Sequence, residues 1–207
     1  MEPPEQLPMN EENRFTEQFK SFIEEKTNAD EFSGAVLVTK DGKPVLEYVA
    51  GFANKERQIL NDMETKFNLS SVNKMFTAVA IAQLVERGLL SFEDTAEKLL
   101  PNYPNETVKE QVSIHHLLTH TSGLGSFIDT KYSNEFLAAR PNLKKITDVV
   151  NLFENRPLNR PLEFPIGEYH YSSGGYEVLG AIIEAISSRG YYDYIRAYLY
   201  TGWDDKY

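Results

Sequence analysis

An α+β fold is predicted by three features of the 207-residue sequence. Two β-rich runs flank an Asp-Gly pair near the N-terminus, a mostly helical stretch follows, and 41% of the residues are apolar, enough for a core without disulfides or metal. Residues 1–10 hold three prolines and two glutamates and read as a disordered leader, with 11–207 as a single domain. Over 13–26, Phe15, Phe19, Phe22 and Ile23 recur at helical spacing between Glu and Lys, which describes an amphipathic surface helix. The runs 32–40 and 43–50 around Asp41-Gly42 predict a β-hairpin, and Pro44 sits near the start of the second strand, where a missing N–H is tolerated. Residues 71–90 carry apolar side chains on almost every face and predict a helix buried on most sides, ending near Gly88. A second such helix is expected from about 175 to 188, stopped by Gly190, with shorter helices at 113–118, 146–153 and 191–200. Turn residues dominate 119–142 and 155–169, which read as irregular. Two strands alone are marginally stable and leave open edges that would allow self-association. The sequence offers no convincing alternating run after position 170.

Composition narrows the function classes. The net charge of −10 argues against nucleic acid or an anionic membrane surface as partner, since both attract a basic patch. With no cysteine, thiolate nucleophiles, disulfides, zinc fingers and Fe–S clusters are excluded. No run reaches the roughly 18–20 apolar residues that span a bilayer. The acidic, proline-rich N-terminus lacks the basic and apolar regions of a secretory signal. That fits a cytoplasmic protein, or a periplasmic or secreted one whose signal has been removed.

Chemistry gathers at three places. Ser71-Val72-Asn73-Lys74 puts a hydroxyl and an amine three residues apart at the start of a helix, where they share a face. Burial favours the neutral, basic amine, and a helix N-terminus favours negative charge developing at the serine, so the spacing suits an activated nucleophile. Ser71 would equally serve as the N-cap of its helix, and about one Ser-x-x-Lys is expected by chance at this length. Tyr171-Ser172-Ser173 stands just before the second buried helix. A nearby cation, with Lys74 the candidate, would lower the phenol and make Tyr171 a general acid/base. In isolation Tyr171 reads as a half-buried aromatic and the serines as caps. The third place is the string from Val112 to Leu124, which contains His116-Leu-Leu-Thr-His-Thr-Ser-Gly-Leu124.

Together, in this order and spacing, the Ser71–Ala78 segment, the His116–Leu124 string and Tyr171-Ser-Ser173 with Gly175-Tyr176 resemble the serine β-lactamase and penicillin-binding-protein superfamily, specifically its class C and esterase branch. The resemblance covers about residues 15–200, and the N-terminal hairpin is similar to the first two strands of that family's sheet. It implies a β-lactamase/transpeptidase-like fold and a serine hydrolase that forms an acyl-enzyme on an ester, amide or β-lactam, with no cofactor or metal. Ser71 would be the acylated nucleophile and its backbone N–H half of the oxyanion hole. Lys74 would be the base or proton relay, and Tyr171 would pass a proton to the leaving group and help activate water. Ser173 and His170 would lie against the substrate, a small molecule or peptide, with His170 at the rim.

The sequence departs from the family pattern twice. Ser173 stands where the second motif usually has asparagine; its shorter hydroxyl would hold Lys74 or a substrate amide less firmly, which leans toward the esterase-like members. No Lys-Thr-Gly or His-x-Gly third motif occurs, and Tyr200-Thr201-Gly202 lacks the cation. A missing oxyanion donor costs about 10²–10³ in rate. These departures suggest the N-terminal part of a longer protein and keep open a non-catalytic binding or regulatory module, or an inactive fragment, of the same fold. His116 and His120 have the i,i+4 spacing of a zinc pair, but without the Glu of His-Glu-x-x-His they read as hydrogen-bonded structural histidines. The carboxylates show no pairing pattern and read as a solvated face.

Overall fold

The computed structural model describes residues 10–103, 105–125, 138, 142–154 and 162–199. They fall into two compact units, one within Met1–Asn68 and one within Leu69–Tyr207. The leader at 1–9, most of the irregular stretch 126–142, residues 155–161 and the Tyr200-Thr201-Gly202 triplet lie outside the described residues.

In the first unit, helix α1 (Glu11–Asn28) starts where the Asn10 side chain accepts the Asn13 N–H at 2.8 Å. Its Ile23 is buried, the helix packs on strand β2, and Tyr48 of that strand donates to Glu24 at 3.0 Å. Strands β1 (Gly34–Lys40) and β2 (Lys43–Ala50) form the expected antiparallel hairpin. Asp41 (φ 50°) and Gly42 (φ 73°) make its turn, the two left-handed residues of the tight turn that Asp-Gly favours. A register shift lies between Val38 and Thr39, and Pro44 pairs with Thr39 at the turn end of the strand. Two short strands absent from the sequence prediction, β3 (Phe52–Asn54) and β4 (Ile59–Leu60), pair with each other. Asn61 pins this corner, donating to Ala50 O at 2.8 Å and to Ser33 Oγ at 3.0 Å. Among the described residues each sheet has two strands.

The second unit is helical. The helix expected at 71–90 is a 3₁₀ turn, Ser70–Asn73, running into α2 (Lys74–Glu86). It is not buried on most sides as expected: Thr77, Ala80, Ile81 and Leu84 form its buried face, whereas Val72, Met75 and Val79 are exposed. Its end is a Schellman motif around Gly88, in which Leu89 N–H bonds Leu84 O at 3.0 Å and Gly88 N–H bonds Val85 O at 2.8 Å. Then come α3 (Ala96–Leu99) and α4 (Glu106–Gln111), both too short to show a period in the sequence. Helix α5 (Ile114–Leu118) opens with a Ser113/His116 capping box, so His116 is engaged locally as a cap. Helices α6 (Ile146–Glu154), α7 (Ser173–Ser187) and α8 (Tyr191–Leu199) follow. The α7 stop is not Gly190: Ser188 takes the left-handed conformation (φ 54°), and Gly190 instead precedes α8, its carbonyl accepting from Tyr194 at 2.9 Å.

Helix α7 is the hub, with α2, α5, α6 and α8 all packed on it. Val178, Leu179, Ile182 and Ile183 are fully buried and meet Ile81, Leu84, Ile114, Leu117 and Tyr194 in one apolar core. Gly180 lets α6 approach, since a Cβ there would lie 2.9 Å from Ile146 Cγ2. The reading of all carboxylates as a solvated face is corrected here. Glu184 is buried and accepts from Ile146 N (3.2 Å), Thr147 N (3.1 Å), Thr147 Oγ1 (2.8 Å) and Tyr191 N (3.0 Å). One carboxylate thereby holds the N-termini of α6 and α8, where unpaired N–H groups attract an anion. Glu177 likewise turns inward, toward a pocket between α2 and α7. No helix among the described residues is long and apolar enough to cross a membrane.

Candidate active site

The site is built where α2 and α7 begin. Ser71 sits in the 3₁₀ turn, exposed, and directly follows Ser70, whose φ is +47°. A left-handed non-glycine residue costs about 1–3 kcal/mol, a strain that concentrates at functional turns. Here it turns the chain abruptly into α2 and presents Ser71 at the corner. One turn on, Lys74 is half-buried and its Nζ lies 3.3 Å from Ser71 Oγ. Tyr171, 49% exposed, brings its Oη to 2.7 Å from Ser71 Oγ. The Lys74 Nζ also lies 5.2 Å from the centre of the Tyr171 ring and 5.7 Å from that of Tyr176. The Lys74 ammonium at its hydroxyl, and secondarily the Ser71 hydroxyl, hold the Tyr171 phenol below its ordinary range against the opposing effect of partial burial.

Tyr171 is positioned by two laced loops. Segment 119–125 meets segment 162–172 through Glu163 N to Gly123 O (3.0 Å), Gly167 N to Thr121 O (2.9 Å) and His170 N to His120 O (2.9 Å). At the end of the lace Ser172 N–H donates to His120 Nδ1 at 3.1 Å, and Ser172 Oγ donates to Gly125 O at 2.8 Å while accepting from Gly175 N at 2.9 Å as the N-cap of α7. The His120 ring lies against those of Tyr171 (4.6 Å between centres) and Tyr176 (5.1 Å). Burial first and the Lys74 cation second lower the imidazole, so it stays neutral near pH 7, with Nδ1 accepting and the proton on Nε2. His120 is a hydrogen-bonded structural histidine, as the sequence predicts; what the sequence does not show is that it is the strut behind Tyr171. Its backbone φ of +59° is the local signal, and it is invisible in one-letter code.

Ser71, Lys74 and Ser173 line a pocket of about 280 Å³ together with Thr77, Tyr176 and Glu177. Ser173 is thus brought beside the other two. His170 is not among the lining residues. Its ring stacks on Phe164 at 3.9 Å and its Nε2 lies 3.8 Å from Glu168. Among the described residues no group of three or more His, Asp or Glu is arranged to hold a metal.

A family model named Beta-lactamase matches residues 19–205. The chain belongs to the Beta-lactamase family. The fold is accordingly β-lactamase/transpeptidase-like, of the α+β class. Penicillin-binding protein 4* of Bacillus subtilis is 32% identical over 173 residues, which is 82% of this Beta-lactamase-family chain and 36% of that protein. The chain therefore spans little more than a third of the length of such relatives. The octameric penicillin-binding protein homologue from Pyrococcus abyssi is 32% identical, with a TM-score of 0.70 over 87% of this chain and 41% of its own. EstCE1, described as a hydrolase with promiscuous acyltransferase activity, superposes with a TM-score of 0.75 over 92% of this chain and 51% of its own; at 21% identity it speaks for the fold alone.

Proposed function

We propose that this chain carries the nucleophile-bearing part of a serine hydrolase that forms an acyl-enzyme through Ser71 on an ester, amide or β-lactam. The observation that supports it is the contact of Ser71 Oγ with Tyr171 Oη at 2.7 Å, with Lys74 Nζ 3.3 Å from the same oxygen. Tyr171, as phenolate, takes the Ser71 proton while Oγ bonds to the carbonyl carbon. The bond to the leaving group then breaks, and the proton passes from Tyr171 to that group. Tyr171 next deprotonates a water that attacks the acyl carbon; the bond to Ser71 Oγ breaks, and the proton passes from Tyr171 back to that oxygen. Lys74, which the family resemblance makes the base or proton relay, is assigned here the part of the cation that stabilises the anion moving between Tyr171 and Ser71. The Ser71 backbone N–H, in the first turn, is suited to a developing oxyanion. Ser173 would touch the acyl portion of the substrate, and His170 would stand at the rim.

The test is intact-mass analysis after incubation with a fluorescent penicillin and with a p-nitrophenyl ester. The expected result is a one-to-one adduct that is absent in Ser71→Ala. A wild-type chain that takes no adduct from either donor would leave the alternative of a non-catalytic binding module, the reading that Ser173 in the asparagine position favours. A separate proposal concerns assembly. The outer edges of the β1–β2 hairpin are unpaired among the described residues, and pairing through them would appear as a dimer or larger species in size-exclusion chromatography; a monomer at high concentration would dismiss it.

A further inference from the structure

Two carboxylates point inward from α7, seven residues apart, and their fates differ. Glu184 is saturated by four donors. Glu177 Oε2 is buried without a hydrogen-bond partner. A buried carboxyl oxygen left unpaired carries an uncompensated desolvation cost, and what it gains in return has to be sought in its surroundings. Glu177 does line the pocket that also holds Ser71 and Lys74.

The helical register explains the placement. On α7, Ser173 and Glu177 are four residues apart on one face, and on α2 Lys74 and Thr77 are three apart on the facing one. The titratable groups that face Glu177 across the pocket are Lys74 from α2 and Tyr191 from α8, with Tyr176 beside it on α7; from α6 the pocket receives only Ile146. Tyr191 is engaged with Thr77, hydroxyl to hydroxyl at 2.7 Å. That leaves Lys74 as the cation of the pocket.

We propose that Glu177 is a positioning residue of the acylation machinery, whose carboxylate keeps Lys74 charged and in place as the partner of Tyr171. The inference rests on the acyl-enzyme reading of Ser71, Lys74 and Tyr171. Burial pushes the Glu177 carboxyl up to about 7, and Lys74 is the group that opposes that rise. Above neutral pH Glu177 is therefore ionised, and its charge acts in the alkaline range, where the ammonium that stabilises the Tyr171 phenolate has to be retained.

Two measurements test this on the whole chain. In the first, the Glu177 side-chain carboxyl is followed by ¹³C NMR in chain labelled at glutamate, with Glu177→Gln assigning the resonance. The expected midpoint lies near 7 in the wild type, and Lys74→Met moves it upward by about one pH unit. In the second, the rate of Ser71 acylation by a p-nitrophenyl ester is measured against pH. Glu177→Gln shifts the alkaline limb to lower pH by about one unit, and Glu177→Asp restores most of it. Circular dichroism of each variant separates this effect from unfolding. An unmoved Glu177 midpoint in Lys74→Met overturns the proposal, and if Glu177→Gln does not fold, Glu177→Asp assigns the resonance instead. A Glu177→Gln profile that superimposes on wild type also overturns it. Absence of any Ser71 adduct in the wild type refutes the acyl-enzyme reading instead, and the NMR titration then decides by itself whether Glu177 and Lys74 are coupled.

Discussion

Glu184→Gln is expected to destabilise the helical unit far more than a typical surface substitution. The carboxylate accepts two N–H groups at the start of α6, the Thr147 hydroxyl beside them and the first N–H of α8, at 2.8–3.2 Å. A hydrogen bond to a charged group contributes about 1.5–3 kcal/mol net. The four do not add in full, because Ile146, Thr147 and Tyr191 are only half-buried and water can replace part of what is lost. An amide keeps one acceptor oxygen but turns an NH₂ toward the remaining donors, and it removes the anion from two helix N-termini. The expected cost is about 2 kcal/mol for Glu184→Gln and about 3–4 kcal/mol for Glu184→Ala, which loses every acceptor. Urea unfolding followed by circular dichroism at 222 nm reads both, provided the slope with denaturant is unchanged. A Glu184→Gln midpoint within about 0.5 kcal/mol of wild type would mean that α6 and α8 are held by apolar packing alone.

Two further outcomes are expected. The acid limb of the acylation profile reports Tyr171. Because a cation lowers this phenol, the rate rises with pH at values below those of an ordinary tyrosine, Lys74→Ala moves the limb upward, and Tyr171→Phe lowers the rate by about 10²–10⁴; a limb unmoved by Lys74→Ala would break the link between the two groups. Gly123 has φ +75°, and a Cβ there would lie 2.4 Å from Phe164 O. Gly123→Ala should therefore loosen the loop lace, with a loss of about 2 kcal/mol in urea unfolding and a slower Ser71 acylation; unchanged values would show that the loops part without consequence.

Much of the scaffold could be read from pattern. Asp41-Gly42 between two β-rich runs specified the hairpin, and the apolar faces of 71–90 and 175–188 specified α2 and α7, because those signals are local. The misses have physical reasons as well. Helices α3 and α4, at four and six residues, are shorter than two turns and carry no period. Strands β3 and β4 are three and two residues long, too short to show an alternating pattern. Ser188 replaced Gly190 as the end of α7, and a serine in the left-handed conformation leaves no stop signal in composition. In the site, the juxtaposition of Ser71 and Lys74 follows from helical spacing, whereas Tyr171, read as a general acid/base beside a cation, is tied to Ser71 only by resemblance to a family motif. What escaped was burial of charge. Glu177 and Glu184 look like any other glutamates in the sequence, and only the packing of α2, α6 and α8 around α7 turns one into a clamp and leaves the other unpaired. His120 reads as a hydrogen-bonded structural histidine, but its partner, Ser172, lies 52 residues away and leaves no trace in the sequence.

The lace between segments 119–125 and 162–172 means that Ser71 and Tyr171 are not carried by one rigid element. Ser71 travels with α2, whereas Tyr171 hangs from a crossing of two loops that contributes almost nothing to the helical content. Helicity and competence for acylation are thus governed by different parts of the molecule. A chain with every helix formed but the crossing undone would look native to far-ultraviolet spectroscopy and still leave Ser71 as inert as a serine in a peptide.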